Sequence, residues 1–247
     1  MRITIAGNGF VGRAHNELLK RRHEITISDP AFIEYAQGIP SDTEAVIICV
    51  ATPQGSNGEC VMDNVFNVID ASPDVPMLIK STISIEGWRM LMDAFPNRKI
   101  AFSPEFLREA SWLDDIMNLQ TLLVGGKGTN IWANIFDIRT EVSDAEALIL
   151  TKYTRNSFLA LKVSFFNQMH DLCEELGVNY KAVAHYTGID PRITESHTNV
   201  TEDRGFGGHC FPKDVTAFIT SAKQKGVELS ILDTVTNYNS KIRKGTN

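Results

Sequence analysis

The sequence has few cysteines, and none of them form the pairs that bind zinc or stabilise small secreted domains. Only four of the 247 residues are cysteine, they lie far apart, and no two follow a C-x-x-C spacing. Structural zinc sites and disulfide-rich scaffolds both need closely spaced cysteines. We therefore expect no metal site and a reducing, cytoplasmic location.

Long apolar runs and an excess of basic residues are also missing. The longest apolar run, residues 45–51, is far shorter than the ~20 residues that span a membrane. The first residues read as a strand rather than a signal peptide. Acidic residues outnumber basic ones, 30 against 24, which gives a formal net charge of −6. Nucleic acids and anionic membranes attract basic surfaces, so we expect neither as a partner.

Short apolar strands alternate with helical stretches over the first half of the chain. The strand candidates are Ile3–Ala6, Ile25–Ser28, Ala45–Ala51, Met77–Lys80, Ile100–Phe102 and Thr121–Val124. Helices are predicted between them at Val11–Arg22, Val61–Ala71 and Ile85–Phe95. Strands that are apolar on both faces and alternate with helices are typical of parallel sheets. The predicted fold class is α/β, a Rossmann-like doubly wound parallel sheet.

The pattern changes after Gly125-Gly126, where a long helix is predicted from Ser143 to Gly177. Ser143 and Glu146 have the spacing of a capping box, and Gly177 is a typical helix stop. Apolar residues lie on more than one side of this helix, so a second subunit is expected to cover part of it. We predict a Rossmann domain at 1–140 and, at 141–247, the long helix with a small helical substrate domain. We also predict a homodimer that forms through the 143–177 helix.

A glycine-rich turn, Gly7-Asn-Gly9-Phe10-Val11-Gly12, follows the first predicted strand and opens the first helix. Glycines at this spacing allow a tight turn, close approach of the backbone to a pyrophosphate, and tight helix–strand packing. Asp29 ends the second strand, where it can bind both ribose hydroxyls and would repel the 2′-phosphate of NADP. A purely structural glycine turn is the alternative. The context favours dinucleotide binding, with NAD preferred to NADP.

Cys210 is the cysteine with the strongest chemical context. It precedes Phe211-Pro212-Lys213-Asp214, which reads as a helix start, and Gly205, Gly207 and Gly208 lie just before it. The positive end of a helix and a nearby Lys213 both favour a thiolate. A buried, inert cysteine is the alternative. The other three cysteines carry no such signal, and Cys49 and Cys173 are interpreted as structural.

Two further groups of polar residues are candidates for the functional site. Lys152 and Asn156 are four residues apart on the long helix and share one face, so they could stabilise an oxyanion or simply form a solvated stripe. Glu105 lies in Ser103-Pro-Glu-Phe-Leu-Arg-Glu109, at the end of a predicted strand. Ligands bind at the carboxyl ends of strands in such sheets, which favours a place in the cleft for Glu105.

Taken together, these segments resemble the UDP-glucose/GDP-mannose dehydrogenase family, whose members oxidise a nucleotide sugar at C6 to a uronic acid with NAD. The matching segments run in order along the chain. They are the Gly7–Gly12 turn, Ala51-Thr-Pro53, Lys80-Ser-Thr82, Ser103–Glu109, Lys152-x-x-x-Asn156 with Leu159–Asn167, Asp190-Pro-Arg-Ile193 and Gly205–Asp214.

The resemblance implies a role for each matching residue. Cys210 is the nucleophile that forms a thiohemiacetal and then a thioester, Lys152 and Asn156 stabilise oxyanions, Asp214 orients water, and Thr82 and Glu105 serve proton transfer and hydrolysis. The implied cofactor contacts are Gly7, Gly9, Phe10, Val11, Gly12, Asp29, Thr52, Thr82, Glu109 and Lys213. The implied substrate contacts are Glu105, Phe106, Leu107, Arg108, Lys152, Asn156, Arg192, Phe206, Gly207 and Cys210, with Arg192 reaching the neighbouring subunit's substrate.

The resemblance also has departures. Family members carry a further C-terminal domain that closes over the nucleotide, so we expect this chain to be a short form that lacks it. The stretch between Asp29 and Ala45 is short, as though a helix and a strand were trimmed. An active nucleotide-sugar dehydrogenase, with UDP-glucose as the favoured substrate, is the main hypothesis. A non-catalytic binding module and a two-electron dehydrogenase of the 3-hydroxyacid type are the alternatives.

Overall fold

A computed structural model describes residues 1–208 and 210–244 and divides the chain into two compact units. The first unit comprises residues 1–55 and 60–152. The second comprises residues 56–59 and the described residues from 153 onward.

The first unit is built on a seven-stranded sheet in the order β2-β1-β3-β4-β5-β6-β7. The strands are β1 (Arg2–Ala6), β2 (Glu24–Ser28), β3 (Ala45–Ile48), β4 (Met77–Ile79), β5 (Ile100–Phe102), β6 (Thr121–Gly126) and β7 (Arg139–Ser143). All neighbouring pairs are parallel except β5 and β6. The predicted Rossmann-like α/β class is therefore confirmed, with one antiparallel pair in an otherwise parallel sheet.

Helices follow most of these strands, as the alternating pattern predicts. They are α1 (Phe10–Leu19), α2 (Asp63–Ala71), α3 (Ile85–Ala94), α4 (Trp112–Met117) and α5 (Asn130–Phe136), with short 3-10 turns at Ile33–Tyr35 and Glu109–Ser111. The buried core includes Ile5 and Ile47 from the central strands and Trp132 from α5. Only the Ile33–Tyr35 turn separates β2 from β3, in agreement with the short stretch noted in the sequence.

The sheet extends further than the sequence pattern indicates. Strand β7 and helix α5 add a strand–helix–strand unit with β6 that was not predicted. Four of the five residues in β7 are exposed, since it lies at the sheet edge. An edge strand with little buried surface lacks the apolar run by which the other strands are recognised.

The long helix α6 (Ala145–Leu176) begins slightly later than predicted and has a different cap. Ser143 belongs to β7, and the Oδ1 atom of Asp144 accepts a hydrogen bond from the Ala147 amide at 2.9 Å. Glu146 forms an ion pair with Arg89 instead of closing a capping box. The predicted box is wrong because Asp144 is an equally good N-cap residue one position nearer the helix.

The other end of α6 agrees with the prediction. Gly177 has φ +66°, and the Val178 amide donates to the carbonyl of Cys173 at 2.9 Å, which is the pattern of a glycine C-cap. Along the helix, Phe158, Phe165 and Leu172 are exposed at intervals of seven residues and so share one face. Within the described residues, no helix is both long and apolar enough to cross a membrane.

The second unit is helical. It contains α7 (Tyr180–Gly188), α8 (Phe211–Gln224) and α9 (Ser230–Ile242), of which α7 and α9 were not predicted, together with most of α6. These helices share a small core of Ala160, Phe206, Val215, Ile219 and Val235. The core connects α6, α8 and α9 to the loop that contains Phe206.

Candidate functional site

The glycine turn after β1 has two glycines that packing requires and one that leaves space. A Cβ atom on Gly7, where φ is +101°, would lie 2.5 Å from the carbonyl oxygen of Cys49, and one on Gly12 would lie 1.9 Å from that of Gly7. A Cβ atom on Gly9 would meet nothing within 4 Å. Gly9 is the N-cap of α1 and has no side chain to accept from the helix amides. The open space therefore faces a helix N-terminus, which fits a pyrophosphate.

Asp29 lies beside this turn, directly after β2. Its Oδ2 atom accepts a hydrogen bond from the Asn8 amide at 2.7 Å, and its Oδ1 atom accepts one from the Ala31 amide at 3.0 Å. The strand order reverses between β1 and β3, the position at which doubly wound sheets bind dinucleotides. The carboxylate predicted to bind ribose is therefore held at the edge of that crevice.

Thr52 and Thr82, both predicted cofactor contacts, are close to each other. The Thr52 hydroxyl donates to the Thr82 carbonyl at 2.6 Å, and Thr52 is buried. They follow β3 and β4, so they lie at the carboxyl ends of two adjacent parallel strands.

Glu105 is held in a buried group of charges after β5. Its Oε2 atom is 3.2 Å from Lys80 Nζ, and its Oε1 atom accepts from the amides of Phe106 and Leu107 at 2.8 and 3.1 Å. Lys152 donates from Nζ to the backbone carbonyl of Glu105 at 2.5 Å. Both lysines are buried, so this region carries a high density of desolvated charge.

The buried charges around Glu105 and His15 shift the pKa values of both side chains. Burial by itself raises the pKa of Glu105, but Lys80, His15 and Lys152 outweigh burial and hold that pKa at about 2. Burial, followed by the charge on Lys80, lowers the pKa of His15 to about 4. His15 is therefore neutral at pH 7, and the two lysines are the cations that act on Glu105 near neutrality. Glu105 is an ionised and weakly basic carboxylate.

The remaining residues of this segment differ in their surroundings. Arg108 is exposed, and its guanidinium forms a bidentate ion pair with Asp115. Glu109 is exposed in the 3-10 turn that follows. Phe106 and Leu107 present their amides to the Glu105 carboxylate.

In the second unit, the start of α8 has three of the predicted functional residues in one turn. Cys210 is the N-cap, and its carbonyl accepts from the Asp214 amide at 2.9 Å. Lys213 Nζ is 2.9 Å from Oδ1 of Asp214, while Asn156 donates from Nδ2 to Oδ2 at 2.6 Å. Asp214 is only 1% exposed. His209, which belongs to the same sequence motif, lies outside the described residues.

Lys152 and Asn156 are one turn apart on α6, as predicted, but each has its own partner. Lys152 donates to the Glu105 carbonyl and Asn156 to the Asp214 carboxylate. Arg192 lies in the loop after α7, where its exposed guanidinium is bound to Asp190.

Phe206 and Gly207 precede Cys210 in the same loop. Phe206 is buried in the small helical core, and a Cβ atom on Gly207 would lie 2.3 Å from the Arg243 guanidinium. A side chain at position 207 would therefore displace the Arg243 guanidinium.

Two residues of the buried charge group were not assigned a role from the sequence. Lys80 belongs to the quoted Lys80-Ser-Thr82 segment, where a lysine directly after a fully apolar strand is a usable signal. His15 gives no such signal, because one histidine on an amphipathic helix is an ordinary residue. Its Nδ1 atom contacts the Val11 carbonyl at 2.8 Å, and its Nε2 atom is 3.6 Å from Glu105 Oε2.

One cluster of possible metal ligands occurs in the described residues. Ligand atoms of His170, Asp171 and Glu174 lie within 4.8 Å of one another on α6. The Arg204 guanidinium is bound to Asp171, so a cation there would face a fixed positive charge. That no metal is bound stays a prediction.

The fold and the glycine turn define a Rossmann-type dinucleotide-binding protein, and comparison with known proteins identifies its family. Residues 31–142 match the NAD binding domain of the UDP-glucose/GDP-mannose dehydrogenase family, and residues 145–241 match the central domain of the same family. The chain belongs to the UDP-glucose/GDP-mannose dehydrogenase family, and its cofactor is NAD. The glycine turn precedes the matched range, so its assignment rests on the geometry above.

Individual relatives agree with this family. The chain is 29% identical to UDP-glucose 6-dehydrogenase of Rickettsia conorii over 97% of its own length and 66% of the relative's. It is 32% identical to the enzyme of the same name from Rickettsia bellii, over 80% of its own length and 49% of the relative's. The chain thus spans about half to two thirds of the length of these curated relatives.

Solved structures give the same result. A UDP-glucose dehydrogenase from Pyrobaculum islandicum superimposes with a TM-score of 0.84 and 25% identity, over 97% of this chain and 68% of that one. A 3-hydroxyisobutyrate dehydrogenase from Mycobacterium tuberculosis superimposes with a TM-score of 0.74 over 97% and 92% of the two chains. At 17% identity, that second similarity shows a shared fold alone.

Proposed function

We propose that this chain oxidises a nucleotide sugar, with UDP-glucose the favoured substrate, from the C6 alcohol to the uronic acid. Each of two oxidations moves a hydride from C6 to one NAD, which is the chemistry that the cofactor supplies. The first oxidation releases the hydroxyl proton and leaves an aldehyde. The Cys210 sulfur adds to that carbonyl carbon, the second oxidation gives a thioester, and water then breaks the C–S bond to release the carboxylate and the thiol.

The observation that carries this proposal is the arrangement at the start of α8. A cysteine is the N-cap, and a buried carboxylate four residues later is bound by a lysine and an amide. A simple alcohol dehydrogenase needs no nucleophile, whereas a second hydride transfer needs a tetrahedral carbon that still bears hydrogen. Thiolate addition to the aldehyde supplies that carbon.

The other predicted residues have roles that suit their surroundings. Asp214 orients the hydrolytic water, and Asn156 and Lys152 stabilise oxyanions. Because the pKa of Glu105 is about 2, its proposed role is to position water or substrate through its negative charge. Thr82 is proposed to serve proton transfer. Phe106, Leu107, Arg108, Phe206 and Gly207 are proposed substrate contacts, and Glu109, Lys213, Thr52 and Asp29 are proposed NAD contacts.

The assembly that we propose is a homodimer. Phe158, Phe165 and Leu172 form an exposed apolar stripe on α6, and monomers seldom leave a large contiguous patch of this kind uncovered. A two-fold axis covers the stripe on both subunits at once. In this dimer Arg192 is proposed to reach the partner's substrate. Residues 1–140 act as the NAD domain and residues 141–247 as the substrate and dimer domain.

The ratio of NADH formed to sugar nucleotide consumed tests the proposal. A ratio of two is expected for the uronic acid, a ratio of one would indicate a two-electron dehydrogenase, and no NADH would indicate a binding module. Cys210→Ser should form an ester that hydrolyses slowly, because an alkoxide leaves less readily than a thiolate. Intact-protein mass spectrometry after turnover detects that ester. Cys173→Ser, which changes a cysteine on α6, is the control, and an unmodified Cys210→Ser protein would contradict covalent catalysis.

A further inference from the structure

In the loop that leads into Cys210, Arg204 and Gly205 are bound by side chains from α6 and from Arg243, which directly follows α9. Arg204 and Gly205 both have positive φ, +60° and +53°. Asn167 Oδ1 accepts from Arg204 Nε at 2.9 Å and from the Gly205 amide at 3.1 Å. Arg243 donates from Nη1 to the Arg204 carbonyl at 2.9 Å. These bonds hold a backbone conformation that a free loop would rarely adopt.

The next residue, Phe206, is bound by the side-chain amide of one residue of α9. Asn239 Oδ1 accepts from the Phe206 amide at 2.7 Å, and Asn239 Nδ2 donates to the Phe206 carbonyl at 2.9 Å. Both residues are buried, at 7% and 4% exposure. A Cβ atom on Gly205 would lie 2.2 Å from Asn239 Oδ1, so the amide also packs directly against the loop backbone.

The side-chain amide of Asn239 forms both of these bonds from one position. A buried backbone N–H and C=O are destabilising when left without a partner, and the side chain of asparagine has one acceptor and one donor at the required spacing. A carboxylate would place an anionic oxygen against the Phe206 carbonyl. The identity of residue 239 therefore decides the path of the backbone four residues before Cys210.

We propose that Asn239 is a positioning residue for Cys210, acting through the backbone of Phe206 to hold the thiol where the reaction needs it. This inference rests on the proposed function, in which Cys210 is the nucleophile. Within the part of the chain that the structure describes, the side-chain hydrogen bonds of Asn239 go to the backbone of Phe206. Its loss should therefore reduce the rate of the steps that use the thiol and leave NAD affinity unchanged.

Asn239→Asp is the test, with Asn237→Asp as the matched control. Asn237 is exposed on the same helix two residues earlier, so the control makes the same chemical change without touching the loop. At pH 8, Asn239→Asp should lower kcat roughly 10- to 100-fold, the effect of a small misplacement of a reacting group. The dissociation constant for NAD should stay within twofold of that of the control.

The pH dependence separates positioning from mere loss of structure. When the introduced carboxylate is protonated, it regains a donor toward the Phe206 carbonyl. The rate of Cys210 alkylation by iodoacetamide, relative to the unmodified protein at the same pH, should therefore rise toward the wild-type rate on going from pH 8 to pH 5.5. The same ratio should be flat for Asn237→Asp.

The alkylation assay also separates this inference from the proposed function. If the unmodified protein forms no NADH but Asn239→Asp still alters alkylation with the expected pH dependence, the proposed function fails and the positioning role stands. Equal alkylation ratios and equal kcat for the two variants would overturn the positioning role. Asn239→Ser serves as a milder second variant. If Cys210 reactivity falls in both variants only in proportion to unfolded protein, measured by circular dichroism, the role is also overturned.

Discussion

Asn156 and Asp214, which are 58 residues apart, are joined by a hydrogen bond of 2.6 Å from the amide Nδ2 to the carboxylate Oδ2. The same carboxylate has Lys213 Nζ at 2.9 Å from its other oxygen. A buried carboxylate with a cation on one oxygen and an amide donor on the other is held in one orientation. This suits a group that orients water for hydrolysis.

We therefore expect Asp214→Asn to slow thioester hydrolysis and to cost stability. Replacing the carboxylate leaves the Lys213 ammonium without its anion and turns one of the two acceptor oxygens into an NH₂ group that faces Asn156 or Lys213, so a loss of about 1–3 kcal/mol is expected. Acyl-enzyme should accumulate and be detectable by intact-protein mass spectrometry, with urea unfolding as the stability measurement. Asp70→Asn, at an exposed position on α2, is the control. Normal turnover of the Asp214 variant would exclude a hydrolytic role.

The glycine turn predicts opposite effects for two substitutions. Gly9→Ala should fold normally, because the added methyl group enters open space, but should weaken NAD binding roughly tenfold or more by occupying the phosphate site. Gly12→Ala should cost about 3 kcal/mol or more, because its methyl group would overlap the Gly7 carbonyl. Thermal unfolding and NAD titration of the two variants separate the effects. Wild-type NAD affinity in Gly9→Ala would argue against a phosphate at this turn.

The position of the Asp29 carboxylate leads us to expect a preference for NAD over NADP. The protein should use NAD and discriminate against NADP, whose 2′-phosphate would face the carboxylate. Asp29→Asn keeps an acceptor for the Asn8 amide while removing the charge, so it isolates the electrostatic part. Asp29→Ala removes both the acceptor and the charge. It should reduce the preference for NAD over NADP by ~1–2 kcal/mol, expressed as the ratio of the two kcat/KM values. The comparison of kcat/KM for the two cofactors gives this value, and equal use of both by the unmodified protein would refute the assignment.

Because His15 is buried and neutral, we expect the folded protein to lose stability in mild acid. Its pKa is about 4 in the folded protein against 6.5 as the reference value, so the unfolded chain binds a proton first as the pH falls. The free energy of unfolding is therefore unaffected by protonation of His15 above pH 6.5 and falls between pH 6.5 and about 4. The expected decrease at pH 5 is about 2 kcal/mol. The ionised Glu105 also stabilises the folded protein, and that stabilisation is lost at lower pH, between pH 4.5 and about 2. His15→Asn should be less stable at pH 7 but should change less between pH 7 and pH 5 in urea unfolding.

The apolar stripe on α6 predicts a concentration-dependent dimer. Phe165→Glu places a charge in the middle of the stripe and should shift the protein to a monomer in light scattering across a dilution series. Ile231→Glu changes an exposed apolar residue at the start of α9 and should leave the dimer intact. If both variants dimerise like the unmodified protein, another surface forms the interface.

The elements that were predicted correctly are those whose signal is local. The apolar runs of β1, β3, β4 and β5, and the Gly177 stop of α6, follow from neighbouring residues alone. The same reasoning missed β7, because an edge strand buries little, and it missed α7 and α9. It also chose Ser143 as a helix cap where Asp144 performs that function.

The sequence by itself determined the fold class, the dinucleotide turn and the types of residue available for chemistry, because periodicity and short motifs act over a few residues. Only the tertiary structure decided which of those residues meet. Lys80 and Lys152 approach Glu105 from segments 25 and 47 residues away, and Asn239 reaches Phe206 across 33 residues. The low pKa of Glu105 and the path of the loop before Cys210 both depend on such pairings, since desolvation and charge act through space and not along the chain.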